Sequence, residues 1–142
     1  MPSTYQSNII NAPIEKVWQT IRNFHDLSSC APNVVSSCES VGDTAGTEVG
    51  AKRVLNGAFH ETLKKIDDGA HLIRYSIDDG PDPVSPAIVS NYTGEIKLTP
   101  VTMQDTTLIE WSSSWDSDED EAVSFCHNIY VAIMGDFADT MS

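Results

Sequence analysis

The spacing of apolar residues changes from strand-like to helical and back along the first third of the chain. Residues 4–10 alternate weakly and predict a first strand. Pro13 then suits the first position of a helix, since its missing N–H is not needed there. We interpret Trp18 as a core anchor between this helix and the sheet. The helix is predicted by apolar residues at helical spacing, Ile14, Val17, Trp18 and Ile21, and a shorter helical turn at 26–30 ends before Pro32.

The middle of the chain has the period of β-strands. Short links made of turn residues separate the segments, and short links join antiparallel neighbours. Asn56-Gly57 is the strongest hairpin signal, because both residue types tolerate positive φ. Together with the first strand, the pattern predicts seven antiparallel strands, the later six over residues 34–41, 47–55, 58–66, 71–78, 89–98 and 106–115.

The C-terminal stretch, residues 118–141, predicts one long helix that closes the sheet. Ser117 or Asp118 could cap it, and acidic residues occupy its first turn. At about 1.5 Å per residue it would be roughly 36 Å long, enough to cross a small domain. The fold class is therefore α+β, in the order β-α-α-β-β-β-β-β-β-α, with an apolar helix stripe formed by Val123, Cys126, Tyr130, Ile133 and Phe137.

One face of the predicted sheet is rich in aromatic residues. Alternation places Ile73, Tyr75 and Ile77 on the same face of their strand. The two later strands continue this face, and Gly94 and Ser113 withhold side-chain volume from it. The alternative is a core that fills the same space. We favour a concave apolar pocket under the long helix, walled by Tyr75, Tyr92, Trp111 and Trp115.

Length, charge and cysteine content narrow the classes of function. The chain has 142 residues, which suits one domain over 1–142, and a formal charge of −13. That charge disfavours nucleic acid as a partner, and no apolar run is long enough for insertion into a membrane. The three cysteines form no C-x-x-C pair, so a reducing cytoplasm is expected. No cofactor and no metal site are predicted, because the scattered histidines, His25, His60, His71 and His127, lack ligand spacing.

Several segments together resemble one known superfamily. Residues 10–18, followed by Phe24, Leu27 and Pro32, resemble the opening of the START-like (SRPBCC) polyketide cyclase/dehydrase and lipid-transport proteins. The later strands are similar to its bacterial members and to birch pollen allergen-like proteins. This resemblance implies the helix-grip fold and an internal cavity, while activity varies among members. In the later strands this resemblance rests on Pro83-Val84, Asn91-Tyr92, residues 95–100 and residues 107–111.

The resemblance also implies two inward-pointing charges, Arg53 and Glu61. A two-residue turn at Asn56-Gly57 would instead put Lys52 on the same face as Glu61. A bulge or a longer loop would restore Arg53 to that face. The sequence leaves this parity open. In either case we predict a basic partner for Glu61, because an unpaired carboxylate among aromatic side chains would be costly; a surface ion pair is the alternative to a pair inside the pocket. His60 should project to the opposite face.

The expected function is binding of a small, largely apolar organic ligand, lipid-, polyketide- or aromatic-like, between the sheet and the last helix. An enzyme of the polyketide cyclase, aromatase or dehydratase type is the first alternative, with Glu61 and Arg53 as catalytic candidates and Tyr75 or Tyr92 as a donor. The second is a protein-interaction module with a filled core that docks through residues 116–121. The oligomeric state, monomer or homodimer, is left open. Predicted ligand contacts are Arg53, Phe59, Glu61, Tyr75, Ile77, Pro83, Val84, Tyr92, Trp111, Ser113, Trp115, Cys126, Tyr130 and Ile133.

Overall fold

A computed structural model describes residues 2–142 and contains one curved sheet with three helices. Every pair of neighbouring strands is antiparallel, and the spatial order is β1-β7-β6-β5-β4-β3-β2. The predicted α+β helix-grip class and the order of its elements are confirmed. The helices are α1 (Ile14–Ile21), α2 (Leu27–Cys30) and α3 (Glu121–Met141); the strands are β1 (Ser3–Ile10), β2 (Cys38–Val41), β3 (Lys52–Leu55), β4 (Phe59–Asp67), β5 (Leu72–Asp79), β6 (Ser90–Val101) and β7 (Thr106–Asp116).

The core lies between the inner face of the sheet and α3. On β7, Ile109, Trp111, Ser113 and Trp115 are buried in alternation with half-buried residues, as the period-two pattern predicts. The predicted stripe of α3 faces them: all of its members are buried except Val123, which is half-buried. Trp18 is buried and donates from Nε1 to Asp68 Oδ1 at 2.9 Å. Its predicted role as an anchor agrees with this position.

Helix α3 starts later than the sequence suggested, at Glu121. The predicted caps are wrong, because the N-cap residue is Asp120 and it makes no side-chain cap hydrogen bond. Ser117 Oγ instead accepts from the backbone N–H of Glu119 at 3.1 Å, within the turn that precedes the helix. With 21 residues, α3 is roughly 31 Å long. It still spans the sheet.

Strands β2 and β3 are shorter than predicted. After α2, the N–H groups of Val34 and Val35 donate to the carbonyl of Ala31. These N–H groups are therefore used in a turn. They cannot also pair in a longer β2, because each residue has only one backbone N–H. Asp136 of α3 reinforces this turn: its buried carboxylate accepts from the backbone N–H of Asn33 at 2.7 Å and from Asn33 Nδ2 at 2.8 Å. The segment is thereby held beside α3.

The β3–β4 hairpin has a three-residue loop, not a two-residue turn. Leu55 pairs with Phe59, and the N–H of Ala58 donates to the carbonyl of Leu55 at 3.0 Å. Asn56 and Gly57 both have positive φ, 53° and 67°, as the turn signal predicts. The extra residue shifts the parity, so Arg53 lies opposite Glu61 and Lys52 faces outward. Of the two registers that the sequence allowed, the one with the longer loop is correct.

In the part of the chain that the structure describes, no helix combines the length and the apolar character that a membrane span requires.

Candidate functional site

A cavity of about 120 Å³ lies between the inner face of the sheet and α3. Strands β3 to β7 supply one wall, α3 supplies the other, and the turn after α2 lies along its edge. The lining is mostly apolar and aromatic. Its residues are Val34, Val35, Arg53, Leu55, Asn56, Phe59, Glu61, Tyr75, Ile77, Val84, Tyr92, Trp111, Phe125, Cys126, Ile129, Tyr130 and Ile133.

A buried ion pair supplies the charge in this lining. Arg53 and Glu61 are only 3% and 5% exposed. Arg53 Nε donates to Glu61 Oε1 at 2.8 Å, and Nη2 lies 2.6 Å from the same oxygen without the alignment of a hydrogen bond. Nη1 donates to the carbonyl of Phe24 at 3.1 Å, and the guanidinium carbon lies 3.8 Å above the Phe24 ring. The guanidinium is therefore held in place, with Nη2 still lacking an aligned acceptor.

Burial raises the pKa of the Glu61 carboxyl above its ordinary value. Desolvation penalises the charged form, and this effect exceeds the opposing influence of Arg53, which stabilises the carboxylate. A carboxyl with a raised pKa can hold a proton at a pH where an exposed carboxyl has lost it. Such a group inside a cavity is a candidate for proton transfer as well as for binding.

Three phenols form a second polar cluster, on the inner face of β5 and β6 and on α3. Trp111 Nε1 donates to the Tyr75 hydroxyl at 3.0 Å, which lies 2.8 Å from the Tyr130 hydroxyl. The Tyr130 hydroxyl also bonds the Tyr92 hydroxyl, which donates to Cys126 Sγ at 3.5 Å. Burial raises the pKa of all three phenols well above 10.0. It also raises the pKa of the Cys126 thiol to about 11. The cluster is therefore uncharged near neutral pH.

Aromatic packing fills much of the interior that the sequence pattern had left open. The rings of Trp111 and Tyr130 stack at 4.5 Å between centroids. Gly94 does withhold volume from the inner face, but the Tyr75 ring occupies that volume: a Cβ on Gly94 would lie 2.6 Å from the Tyr75 hydroxyl oxygen. The sequence offers a pocket and a filled core as alternatives for this space. The structure combines them, as a small cavity beside a packed aromatic cluster.

Most of the predicted ligand contacts line the cavity, and three do not. Trp115 stacks on Tyr92 at 5.3 Å and lies outside the lining. Ser113 Oγ is 2.9 Å from Thr4 Oγ1, between β7 and β1. In the loop between β5 and β6, whose residues 80–86 include three prolines, Val84 reaches the cavity but Pro83 does not. The predicted contacts that do line it are Arg53, Phe59, Glu61, Tyr75, Ile77, Val84, Tyr92, Trp111, Cys126, Tyr130 and Ile133.

Sequence reasoning missed several lining residues. Phe125 and Ile129 stand four apart on α3, beside the predicted stripe, so a wider stripe would have included them. Val34 and Val35 give no such signal, because the residue pattern around them is typical of a strand. Asn56 reaches the lining because its side chain is folded back, with Nδ2 donating to the carbonyl of Val34 at 3.2 Å.

The other candidate groups lie away from the cavity. The acidic residues 116–121 run from the end of β7 to the start of α3, and His60 is exposed on the outer face. Within residues 2–142, no three His, Cys, Asp or Glu side chains converge as metal ligands would.

The curved antiparallel sheet and the long helix α3, with a cavity between them, define the helix-grip fold. Residues 1–141 match the model of the family described as polyketide cyclase/dehydrase and lipid transport. The chain belongs to this family, within the SRPBCC superfamily. No curated protein matches it.

Solved structures share the fold over almost the whole chain. A protein from Nitrosospira multiformis is 45% identical with a TM-score of 0.96, covering 99% of this chain and 97% of its own. A protein from Bacillus thuringiensis is 26% identical with a TM-score of 0.80, covering 98% of both chains. The protein XoxI from Bacillus cereus is 27% identical with a TM-score of 0.80, covering 99% of this chain and 96% of its own.

Proposed function

We propose that this protein binds a small, largely apolar organic molecule in the cavity between its sheet and α3. The observation that carries the proposal is an interior cavity whose mostly apolar lining includes one buried ion pair. An apolar surround with a few fixed polar groups is the usual composition of a small-molecule site. The family to which the chain belongs points in the same direction.

The size of the cavity limits the ligand. Its volume is about 120 Å³, close to the roughly 150 Å³ of an engineered cavity that binds benzene. It is well below the ~300 Å³ at which drug-sized pockets begin. The proposed ligand is therefore about the size of one substituted ring or a short branched chain. Its polar end would face the Arg53–Glu61 pair, which supplies the charge in the lining.

Ethylbenzene is a suitable first probe, because it has this size and no polar atom. We expect saturable binding with a Kd on the order of 0.1–1 mM, measured by NMR shifts of the Trp111 indole N–H. Cys126→Leu, which adds volume to the cavity wall, should weaken binding at least about tenfold, equivalent to ~1.4 kcal/mol.

Val131→Leu is the matched control, since Val131 lies on the exposed side of the same helix, 48% exposed. It should leave the Kd unchanged. Absence of saturable binding, or equal loss in both variants, would contradict a ligand site here. Comparison of native and denatured masses of the purified protein would show in addition whether a molecule is already bound.

Catalysis in the same cavity is the second candidate, favoured by the raised pKa of Glu61 beside Arg53. The supported reaction class is removal of a proton from carbon next to a carbonyl, with Glu61 as base and the guanidinium polarising the oxygen. The protein should then accelerate exchange of the methyl protons of acetophenone in D₂O, followed by NMR.

Glu61→Gln, which keeps the size of the side chain, should abolish that exchange while retaining saturable binding of ethylbenzene. Glu95→Gln, which changes a carboxylate on the outer face, should preserve it. If the exchange rate with wild-type protein equals that in buffer, catalysis of this reaction is excluded and the binding proposal is the one that remains.

A further inference from the structure

The phenol cluster is a hydrogen-bonded chain with one hydrogen too many. It runs from Trp111 through Tyr75, Tyr130 and Tyr92 to Cys126. Each of these five groups carries one hydrogen that it can donate, and the chain has four contacts. Because each contact uses one hydrogen, one is left over in every arrangement.

The position of the spare hydrogen depends on how the hydroxyl groups are rotated. Trp111 can only donate, so Tyr75 always accepts from it. If the remaining hydrogens point towards Cys126, the spare hydrogen is that of the thiol, a weak donor. If they point the other way, Tyr75 accepts from both Trp111 and Tyr130, and its own O–H is free. Two mixed orders lie between these, in which Tyr130 or Tyr92 accepts twice and keeps the spare hydrogen. Rotation of the hydroxyl and thiol hydrogens interconverts all four orders, and the one with a free Tyr75 O–H replaces the O–H···S contact by an S–H···O contact.

Tyr75 adjoins the charged part of the cavity. The guanidinium carbon of Arg53 lies 5.5 Å from the centre of the Tyr75 ring, and both residues belong to the lining. Arg53 Nη2 has no aligned acceptor, and Glu61 Oε1 is already engaged by Arg53. The Arg53 cation is already paired with Glu61, so the donor that an acceptor on the ligand can satisfy is the Tyr75 O–H, in the order that leaves it free.

We propose that the ligand is a one-ring-sized molecule bearing a carbonyl-type oxygen, and that Tyr75 determines this preference by donating its hydroxyl hydrogen to that oxygen. Binding of the acceptor favours the order in which Tyr75 accepts from Tyr130, so that the Tyr75 O–H is available to the ligand. Only rotations of the hydroxyl and thiol hydrogens are needed, and no proton is transferred. This inference rests on the proposed binding function and names the chemistry of its ligand.

Acetophenone and ethylbenzene form the test pair, since they differ mainly in the carbonyl oxygen. We expect acetophenone to bind about threefold to tenfold more tightly, which is the range of one neutral hydrogen bond. Tyr75→Phe should reduce that ratio to about one. Tyr130→Phe removes a hydroxyl from the same chain but frees the Tyr75 O–H permanently, so the ratio should persist or rise.

The infrared carbonyl band of bound acetophenone gives a readout independent of affinity. It should lie at lower frequency in wild type and in Tyr130→Phe than in Tyr75→Phe. If Tyr75→Phe does not fold, the band in wild type and in Tyr130→Phe still tests the donor. Ethylbenzene binding that is equal to acetophenone binding would overturn the inference and leave the proposed function standing. Failure of both probes would overturn the proposed function itself, and an unchanged ratio in Tyr75→Phe would exclude Tyr75 as the donor.

Discussion

Glu61→Ala is expected to destabilise the fold by about 3–5 kcal/mol, because it leaves the Arg53 cation buried without its counter-ion. A guanidinium cannot discharge itself by losing a proton. Arg53 is 3% exposed, so water cannot replace the carboxylate. The Phe24 carbonyl and ring would be its remaining partners. Urea denaturation with linear extrapolation measures this free energy of unfolding directly.

The Arg74–Glu95 pair offers a matched control. It has the same chemistry and an N–O distance of 2.6 Å, but its side chains are 45% and 30% exposed. Glu95→Ala should therefore cost no more than about 1 kcal/mol. Similar losses of unfolding free energy in Glu61→Ala and Glu95→Ala would show that burial does not increase the cost of breaking the Arg53–Glu61 pair.

Substitution of the other partner, Arg53→Met, should cause a loss of stability whose size depends on pH. Burial raises the pKa of Glu61, whose ordinary value is 4.5, so the folded protein binds this proton more tightly than the unfolded chain. The associated stability is present at low pH and is lost as pH rises through the folded pKa. Loss of Arg53 removes an influence that lowers this pKa. Arg53→Met should thus lose less stability at about pH 5 than at about pH 8, relative to wild type.

Gly94→Ala is the second change with a large expected effect, a loss of about 3–5 kcal/mol. The new methyl group would lie 2.5 Å from Tyr75 Cε1 and 2.6 Å from its hydroxyl oxygen, distances that the ring cannot tolerate. Overpacking alone costs about 1–3 kcal/mol. Displacement of Tyr75 also leaves Trp111 Nε1 without its acceptor. An unsatisfied buried donor costs a further ~1–3 kcal/mol. Denaturant unfolding measures the loss, and the spectrum of the tryptophans reports the displaced ring.

Gly135→Ala is the control for the glycine itself. Gly135 lies within α3, and a Cβ there meets nothing within 4 Å. The alanine should stabilise the helix by about 0.8–1 kcal/mol. Combining Gly94→Ala with Tyr75→Leu should cost at least about 1 kcal/mol less than the sum of the two single changes. Additive losses would mean that Tyr75 is not the obstacle.

Local patterns predicted this fold because each element is encoded over few residues. The apolar stripe of α1 needs only Ile14, Val17, Trp18 and Ile21, and three of these are buried as expected. The period-two burial of β7 is likewise a property of one strand and its two faces. Segments whose hydrogen-bond donors had two possible partners were predicted less well. Val34 and Val35 bond in a turn where alternation suggested a strand.

Patterns along the chain were enough to predict the class of this protein: the order of its elements, the aromatic inner face, and the resemblance that the family match bears out. The arrangement of the site became evident only from contacts between strands and helices that are distant in the chain. One extra residue in the loop after Leu55 places Arg53, and not Lys52, opposite Glu61. A shift of one residue in a strand moves every side chain to the other face. The Tyr75 ring occupies the space that Gly94 leaves on the inner face. Both depend on which side chains meet across strands, and spacing along one strand cannot specify that.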